Sequence, residues 1–524
     1  MSEAEKVMAE HRRLAEELFA RALGVTAVAA SPNVVGNQEF LEFHVGRKAP
    51  VYNRALRIIQ KKLPEDSLLQ GQVSLRVEPK NFPRSLECEV LLGMIESSIR
   101  KVTRAEETQT TIVPFVSFPG NEDQLLTKHA THLVVGRRGV GKSTLLMKAI
   151  AVLKRTESLI VALDMQGYST MNEAEVALEV LADIAREIAT GLKTNDGTQS
   201  GLAAELNAYA DGIDGQEIVM TKAPVALRRL IKKVTTAVGA DLFVFLDDFH
   251  LIAAQWQPKV IHYVQAALKG AGGWLKIAGV RSFLNYWDAS TREGLRMPGD
   301  AQTVLLDFTL EDPAAAERHL NTILETFLAD VGVDQSTTVI RPDALRRLVW
   351  ANAGVPRDFL QMFAIAMGHA RKADRGKIVL SDANMAIGEL GQTKMTDLDE
   401  DAPEERDALR LMVDRIKEFA LKGKKTNAFL VRKESSEAYR CIQRLSDLRL
   451  LHLLHRTITP HKAGEIYEAY MLDYSLFTGF RRRRNISEAM PADGENFKAS
   501  ELRQFPTLPK ELLDTTGTTQ SVQS

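Results

Sequence analysis

The spacing of apolar residues divides the chain into segments with different periods. Between about residues 111 and 312, short apolar runs alternate with longer amphipathic ones, as strands alternate with helices. Helical patterns are clearest at Asn172–Leu192 and Ala223–Val238. This alternation predicts an α/β domain built on a parallel sheet. The predicted strands are Leu133–Val135, Leu159–Asp164, Leu242–Leu246, Leu275–Val280 and Val304–Phe308.

After Asp312 the strand pattern stops and helical patterns follow one another. Pro313 and Pro356 stand where a first helical turn would begin, and Ser381 suits an N-cap. We therefore predict a helical lid over residues 313–395, and an acidic linker at Thr396–Glu405 after it. The predicted lid helices are Pro313–Val331, Arg341–Ala351, Pro356–Ala370 and Ser381–Leu390.

Residues 403–480 form a separate small unit in the pattern. Two helices, Glu404–Leu421 and Ser435–Leu448, precede two strands, Leu450–Ile458 and Glu465–Tyr470. This order predicts a winged helix. Residues 481–524 start with four arginines and continue as a polar tail with too little apolar content to fold, so we expect it to be disordered.

The N-terminal region, residues 1–110, mixes helix and strand signals. Glu3–Leu23 is a charged amphipathic helix, Val73–Val77 alternates like a strand, and Glu87–Val102 has helical spacing. Several basic residues here are best explained as a solvated face, and no chemistry follows from them. A protein partner is the interaction that we expect of this region. These residues are Arg47, Lys48, Arg54, Arg57, Lys61 and Lys62.

Composition narrows the class of protein. The formal net charge of −1 gives no overall signal for nucleic acid, so binding of that kind needs a local basic patch. Cys88 and Cys441 are the two cysteines, and their separation argues against a disulfide framework or a zinc site. Because the N-terminus lacks a signal-peptide pattern and no run approaches a membrane span, we expect a cytoplasmic protein without a membrane partner.

A glycine-rich motif between the first predicted strand and a helical run carries the strongest chemical signal. It fits G-x-x-x-x-G-K-[ST], and strand, glycine loop and helix is the context that such a motif needs to bind phosphate. Loop amides and a helix N-terminus would hold the polyphosphate of a nucleoside triphosphate, and the motif alone leaves adenine and guanine open. Lys142 would reach the β- and γ-phosphates, and Ser143 would ligate Mg²⁺. The loop consists of Gly136, Arg137, Arg138, Gly139, Val140, Gly141, Lys142, Ser143 and Thr144.

Two carboxylates end the apolar strand that begins at Leu242. Such a strand brings an acid to the edge of the sheet where the nucleotide binds. We expect Asp247 to hold Mg²⁺ through water and Asp248 to polarise the attacking water. A second metal ligand or a capping residue is the alternative for Asp248.

Four arginines are further candidates for contact with phosphate. Arg281 follows the strand Leu275–Val280 and would lie beside the γ-phosphate. Arg357 opens a lid helix and can couple lid position to the nucleotide. Arg292 and Arg296 could reach the nucleotide of a neighbouring subunit in a homo-oligomer, although ordinary surface arginines explain them equally well.

This order of motifs resembles the AAA+ and STAND ATPases over about residues 111–480. The resemblance identifies residues 136–144 with Walker A, Leu242–Asp248 with Walker B, Arg281 with sensor 1 and Arg357 with sensor 2. It also implies that Asn121–Leu126 contacts adenine. The pair Asp247-Asp248, where many AAA+ members have Asp-Glu, looks more like STAND proteins and implies slow hydrolysis.

The resemblance implies an ATPase whose nucleotide state controls assembly and a winged helix, and three alternatives follow. The winged helix binds duplex DNA, it binds protein in a STAND-type signalling or defence scaffold, or the protein binds nucleotide without hydrolysis. DNA is supported by local charge: residues 403–484 contain 18 Lys or Arg and 11 Asp or Glu, a difference of +7. Candidate contacts are Arg432, Lys433, Arg440, Arg444, His461 and Lys462.

The DNA alternative predicts that added duplex raises the rate of ATP hydrolysis and that binding weakens with salt, because phosphate contacts release counterions. Steady-state hydrolysis with and without duplex, at low and high salt, measures both effects. Slow turnover, tightly held ADP and indifference to duplex would instead support the STAND-type scaffold.

Overall fold

A computed structural model gives the structure of the chain. It describes residues 3–35, 38–99, 116–118, 122–171, 175–192, 197–401, 405–434, 436–459, 465–478, 486–490 and 496–513. In this described part, no helix is both long and apolar enough to cross a bilayer.

The middle of the chain folds around a five-stranded sheet in which every strand is parallel to its neighbours, in the order β10-β4-β7-β6-β5. The α/β fold class predicted from the sequence is confirmed. For reference in the description, the N-terminal elements are α1 (Glu3–Leu23), β1 (Ala30–Val35), β2 (Gln38–Val45), α2 (Pro50–Lys62), β3 (Val73–Val77) and α3 (Leu86–Ile99). Those of the middle are α4 (Glu122–Leu125), β4 (His132–Val135), α5 (Lys142–Leu153), β5 (Leu159–Asp164), α6 (Val176–Gly191), α7 (Gly197–Asp214), α8 (Ala223–Val238), β6 (Leu242–Asp247), α9 (Gln257–Leu268), β7 (Gly273–Gly279), β8 (Trp287–Asp288), β9 (Glu293–Gly294) and β10 (Gln302–Leu305).

Both faces of the sheet are buried around its central strands, which explains why a strand such as β6 is apolar along its length up to Asp247. Successive side chains of a strand point to opposite faces. In β6, Leu242, Val244 and Leu246 pack in the same cluster as residues of α6 to α9. Phe243 and Phe245 pack on the other face with residues of α5. The strand therefore delivers Asp247 to the sheet edge from a fully packed interior.

The lid and the N-terminal region share a single apolar core, although the sequence suggested separate units. The lid helices are α10 (Pro313–Asp330), α11 (Pro342–Asn352), α12 (Pro356–Lys372) and α13 (Leu380–Asp401). Helix α3 packs on α10 and α12. Arg54 makes two hydrogen bonds to the Asp330 carboxylate. In the N-terminal sheet, β2 pairs with β1 antiparallel and with β3 parallel.

Residues 396–401 of the segment predicted as an acidic linker are instead the last part of α13, so the prediction was wrong for them, and residues 402–404 lie outside the described part. The acidic residues of this part of α13 have partners that the sequence does not reveal. Asp397 pairs with Arg449, and Leu398 is fully buried. Paired carboxylates and a buried leucine stabilise a helix where composition alone favours a loop.

The winged helix contains three strands where the sequence indicated two. Its elements are α14 (Arg406–Lys417), β11 (Ala428–Arg432), α15 (Glu437–Asp447), β12 (Leu451–Ile458) and β13 (Tyr467–Leu472), with sheet order β11-β13-β12. A π-helical turn, Glu418–Gly423, extends α14. The predicted wing turn with Pro460, His461 and Lys462 lies outside the described residues.

Part of the C-terminal tail packs on the winged helix, which corrects the prediction of disorder for residues 496–513. This segment carries the short helices α16 (Ala499–Leu502) and α17 (Lys510–Leu513). Leu430 of β11 donates to Pro506 (2.9 Å) and accepts from Leu508 (2.8 Å), so the tail runs beside the edge of the sheet. Leu502 and Leu508 are buried. Residues 481–485 and 514–524 lie outside the described part.

Truncation of Leu508 to alanine tests whether the tail stabilises the winged helix. We expect Leu508→Ala to lower the free energy of unfolding by about 3 kcal/mol, because a buried leucine loses its contacts and leaves a cavity. Thermal and urea unfolding measure the change. Gln504→Ala, at an exposed position of the same segment, is the control. Equal stability of the two variants would contradict a packed tail.

Candidate nucleotide-binding site

The glycine loop lies at the carboxyl edge of the sheet, between β4 and α5. Gly141 immediately precedes α5 with φ +99°, in the left-handed region that favours glycine. Gly139 has φ +78°, and a Cβ there would lie 3.1 Å from atoms of Arg357 and Val355. The loop thus needs its glycines both for its turn and for the close approach of the lid.

Lys142 is buried within this loop. Its Nζ donates to the carbonyls of Gly136 (3.1 Å) and Arg137 (2.9 Å), and its side chain is almost inaccessible. Burial lowers the pKa of the Lys142 ammonium, whereas the nearby carboxylates of Asp248 and Asp247 act to raise it. The ammonium is therefore hydrogen-bonded to the loop and close enough to the two strand-end carboxylates for them to favour its charged form.

Asp247 and Asp248 are held in a local turn at the end of β6. The Asp248 amide donates to Asp247 Oδ1 (2.9 Å). Asp248 itself has φ +50°, a conformation that aspartate tolerates better than most residues and that often marks functional sites. This turn fixes the Asp247 carboxylate against the backbone of Asp248, so the two acids have different surroundings.

Arg281 follows β7, the strand that lies between β4 and β6. Its position puts it at the edge of the sheet where the glycine loop and the two carboxylates also lie. Its side chain is exposed. The sheet order therefore supports the predicted position, while its contact with phosphate stays a prediction.

Arg357 lies where the lid meets the glycine loop. Its amide donates to the Gly139 carbonyl (3.3 Å) at the start of α12. Its guanidinium is partly buried, and among the described residues it makes no hydrogen bond or ion pair. Burial lowers the pKa of Arg357 and the neighbouring Arg449 lowers it further, whereas the carboxylates of Asp397 and Asp358 act to raise it. Because neither carboxylate bonds directly to the guanidinium, this position suits a further anion.

The side chains of Arg137 and Arg138, both predicted to belong to the phosphate-binding loop, hold this loop against neighbouring parts of the protein. Arg137 donates from Nε to Asp307 (2.6 Å) and from Nη2 to the carbonyls of Phe308 (2.5 Å) and Ala353 (2.8 Å). Arg138 Nη2 lies 3.6 Å from Asp397 and 3.8 Å from Glu400, both in α13. Any contact of these two residues with phosphate therefore falls to their backbone amides.

Arg292 and Arg296 belong to a small hairpin, β8–β9, that packs on α9. Arg292 is exposed in the turn with φ +60°, and the Arg296 guanidinium lies 4.8 Å from the centre of the Trp287 ring. Within the described residues, neither has a contact with Lys142, Asp247 or Asp248. Their action in trans stays a prediction.

An aromatic stack beside Gly141 was missed from the sequence. Phe308 and His319 have ring centroids 4.3 Å apart, and the Phe118 ring is stacked on Phe308 and tilted against His319. A Cβ on Gly141 would lie 3.5 Å from the Phe118 ring. Burial lowers the pKa of His319 to about 4, so its ring is neutral at pH 7. This flat, uncharged surface suits a nucleobase. The adenine segment predicted from Asn121 lies close in sequence, although Asn121 itself is outside the described residues.

Ser143 and Asp247 remain the residues that would hold Mg²⁺. Among the described residues, no group of three or more His, Cys, Asp and Glu side chains is arranged to hold a metal ion alone. At a nucleotide site, Mg²⁺ commonly takes one or two protein ligands, which Ser143 and Asp247 could provide, together with phosphate oxygens and water. The loop, its lysine and the carboxylates therefore fit an ATP–Mg²⁺ complex.

The predicted basic groups of the winged helix are largely paired with acids in this conformation. Arg444 is bound to Glu405 and lies near Glu437, and Arg440 also pairs with Glu437. Likewise, Arg432 pairs with Glu465 and Lys433 with Glu468. The C-terminal end of α15 packs on the Arg281–Phe283 turn after β7. One end of the predicted recognition helix thus faces the ATPase core.

Comparison with known proteins gives structural similarity alone. No protein-family model and no curated protein matches the chain. Similar solved structures include the Aeropyrum pernix ORC2 protein in ADPNP–ADP complexes, at 15% identity and TM-score 0.41, covering 76% of this chain and 94% of that one. Cdc6p from Pyrobaculum aerophilum matches at 14% identity and TM-score 0.36, covering 70% of this chain and 93% of that one. A RuvB variant from Thermotoga maritima matches at 13% identity and TM-score 0.34, covering 67% of this chain and 92% of that one.

At these identities and TM-scores, the similarities carry no argument about this chain, and the activities and partners of those proteins are not transferred to it.

Replacing Arg357 and Arg137 should have opposite effects on the nucleotide-free protein. Arg357→Gln removes a partly buried charge that makes no hydrogen bond or ion pair with the residues that the structure describes, so the melting temperature should hold or rise. Arg137→Gln leaves Asp307 and two carbonyls without their donor, so stability should fall by about 3 kcal/mol. Thermal unfolding without nucleotide measures both. A loss in Arg357→Gln as large as that in Arg137→Gln would show that Arg357 has a structural role.

Proposed function

We propose that this protein is an ATP-binding and ATP-hydrolysing switch. The observation that carries the proposal is the burial of Lys142 inside a glycine loop, beside the strand-end carboxylates Asp247 and Asp248. A buried ammonium held by two loop carbonyls is arranged to exchange them for phosphate oxygens. The position of Arg357 at the rim of the loop supports the same ligand.

Each residue of the site has a distinct proposed role. Bound ATP and Mg²⁺ would supply the phosphoryl group and a Lewis acid that stabilises its charge. Lys142 binds the β- and γ-phosphates, Ser143 and Asp247 hold the metal, and Asp248 orients a water and accepts its proton. Arg281 and Arg357 stabilise negative charge from the sheet and from the lid. Phe308 and His319 pack against the base.

The proposed switch is a change in the lid and winged helix with nucleotide state. Arg138 links the glycine loop to α13, and the Arg357 amide links it to α12. A ligand that moves this loop therefore acts directly on both helices. We propose duplex DNA as the target of the winged helix, supported by the local excess of basic residues, and ATP-dependent self-assembly through Arg292 or Arg296.

A protein-binding scaffold of the STAND type is the second proposed function. The packing of α15 against the turn after β7 favours it, because a winged helix that contacts its own ATPase core has less of its surface available for DNA. Stimulation by duplex, as described above, separates the two proposals.

Variants of Lys142 and Asp248 test the proposed ATPase activity. Lys142→Ala should weaken ATP binding by about 10- to 100-fold, because a charged hydrogen bond is lost. Asp248→Asn should retain ATP binding and lower the hydrolysis rate by about 10²- to 10⁴-fold. Calorimetric titration and phosphate release measure the two effects.

Asp164→Asn is the matched control, because Asp164 ends β5 opposite Asp247 in the sheet register. We expect it to bind and hydrolyse ATP like the unaltered protein. Unchanged ATP affinity in Lys142→Ala, or equal losses of hydrolysis in Asp164→Asn and Asp248→Asn, would contradict the assigned roles.

A further inference from the structure

Asp447, the last residue of α15, brings the winged helix into the nucleotide site. Its carboxylate accepts a hydrogen bond from the Ser282 amide (2.9 Å), directly after Arg281. Its carbonyl accepts from the Arg138 amide of the glycine loop (3.4 Å). Asp447 also lies close enough to Lys142 to favour its charged form. One residue of the winged helix therefore contacts the glycine loop and the turn after β7 together.

The helix dipole and burial both make the ionised Asp447 carboxylate unfavourable at this position. A negative charge at the C-terminal end of a helix opposes the helix dipole. Burial raises the pKa of Asp447, and the neighbouring Asp307 acts in the same direction. The groups that offset these costs are the Ser282 amide and the positive charges of Arg137 and Lys142, all of which belong to the nucleotide site and not to the winged helix.

The γ-phosphate of a triphosphate and the Asp447 carboxylate would both interact with Lys142 and the Ser282 amide. The sheet order places Ser282 beside the strands that carry the glycine loop and Asp247, at the edge where the γ-phosphate is expected. Two anions in a poorly hydrated space repel each other strongly. A diphosphate has no γ-phosphate and leaves Asp447 in place.

We propose that Asp447 is a specificity-determining residue that makes the docked winged helix select a nucleoside diphosphate over a triphosphate. The inference rests on the proposed function, since it requires a nucleotide on Lys142. By linkage, a triphosphate that binds must favour withdrawal of the winged helix to the same extent. Withdrawal would also remove Arg444 from its contact with the Phe283 ring, 5.9 Å from the ring centre.

Calorimetric titration of the full chain with ADP and with a non-hydrolysable ATP analogue tests the inference. Asp447→Asn keeps the side-chain shape and an acceptor for Ser282 but removes the charge. We expect it to shift the ratio of the two dissociation constants toward the triphosphate by about fivefold or more, the usual lower range of such couplings. Asp414→Asn, an exposed change on α14, should leave the ratio unchanged.

The outcomes separate this inference from the proposed function. If neither nucleotide binds the unaltered protein, or binding survives Lys142→Ala, the proposed function fails. If nucleotide binds through Lys142 but the ratio is the same in Asp447→Asn and in the unaltered protein, the role of Asp447 is overturned.

A second measurement keeps residue 447 intact. Lys233→Cys on α8 and Arg440→Cys on α15 place fluorophores at exposed positions, while the native Cys88 and Cys441 are buried. We expect the ATP analogue to change energy transfer between them and ADP to leave it unchanged. An equal response to both nucleotides, or none to either at saturation, would overturn the inference.

Discussion

A cluster of buried charges holds the winged helix against the lid, and the positions of both relative to the glycine loop depend on this cluster. Lys394 of α13 lies 2.5 Å from Asp473 and 3.3 Å from Asp358. Arg449, which follows α15, binds Asp358 and Asp397. Because an unpaired buried charge costs several kcal/mol, these groups are stable together and unstable apart. The cluster thus defines one docked arrangement and penalises intermediate ones.

The same cluster reaches the glycine loop through Asp397, which lies near both Arg449 and Arg138. His452 completes it on the side of the winged helix, with its ring 2.6 Å from Asp473. Burial lowers the pKa of His452, while Asp473 acts to raise it. The glycine loop, the lid and the winged helix are consequently linked by a chain of ion pairs. An anion bound at the loop would therefore change the electrostatic interactions of all three.

The sequence was most informative where local rules decide the structure. The glycine loop, the strands of the sheet and helix Ala223–Val238 follow from hydrophobic period and motif alone. The sequence could not show that α13 continues through acidic residues, because their partner Arg449 lies about 50 residues further on. Nor could it show that Asp447 enters the site or that Phe308 meets His319. Those contacts join parts of the chain that are distant in sequence, and no local sequence pattern predicts how such parts pack. The roles of Arg281, Arg292 and Arg296 stay predictions.

The tail segment that runs beside β11 has a consequence for the order of events during synthesis. The edge of β11 is completed only by residues around Leu508, and Arg347 of the lid pairs with Glu488 nearby. A nascent chain can therefore form the glycine loop and the parallel sheet well before the winged helix receives its last strand contact. Until then, the α/β domain is present on the ribosome without a completed winged helix packed against it.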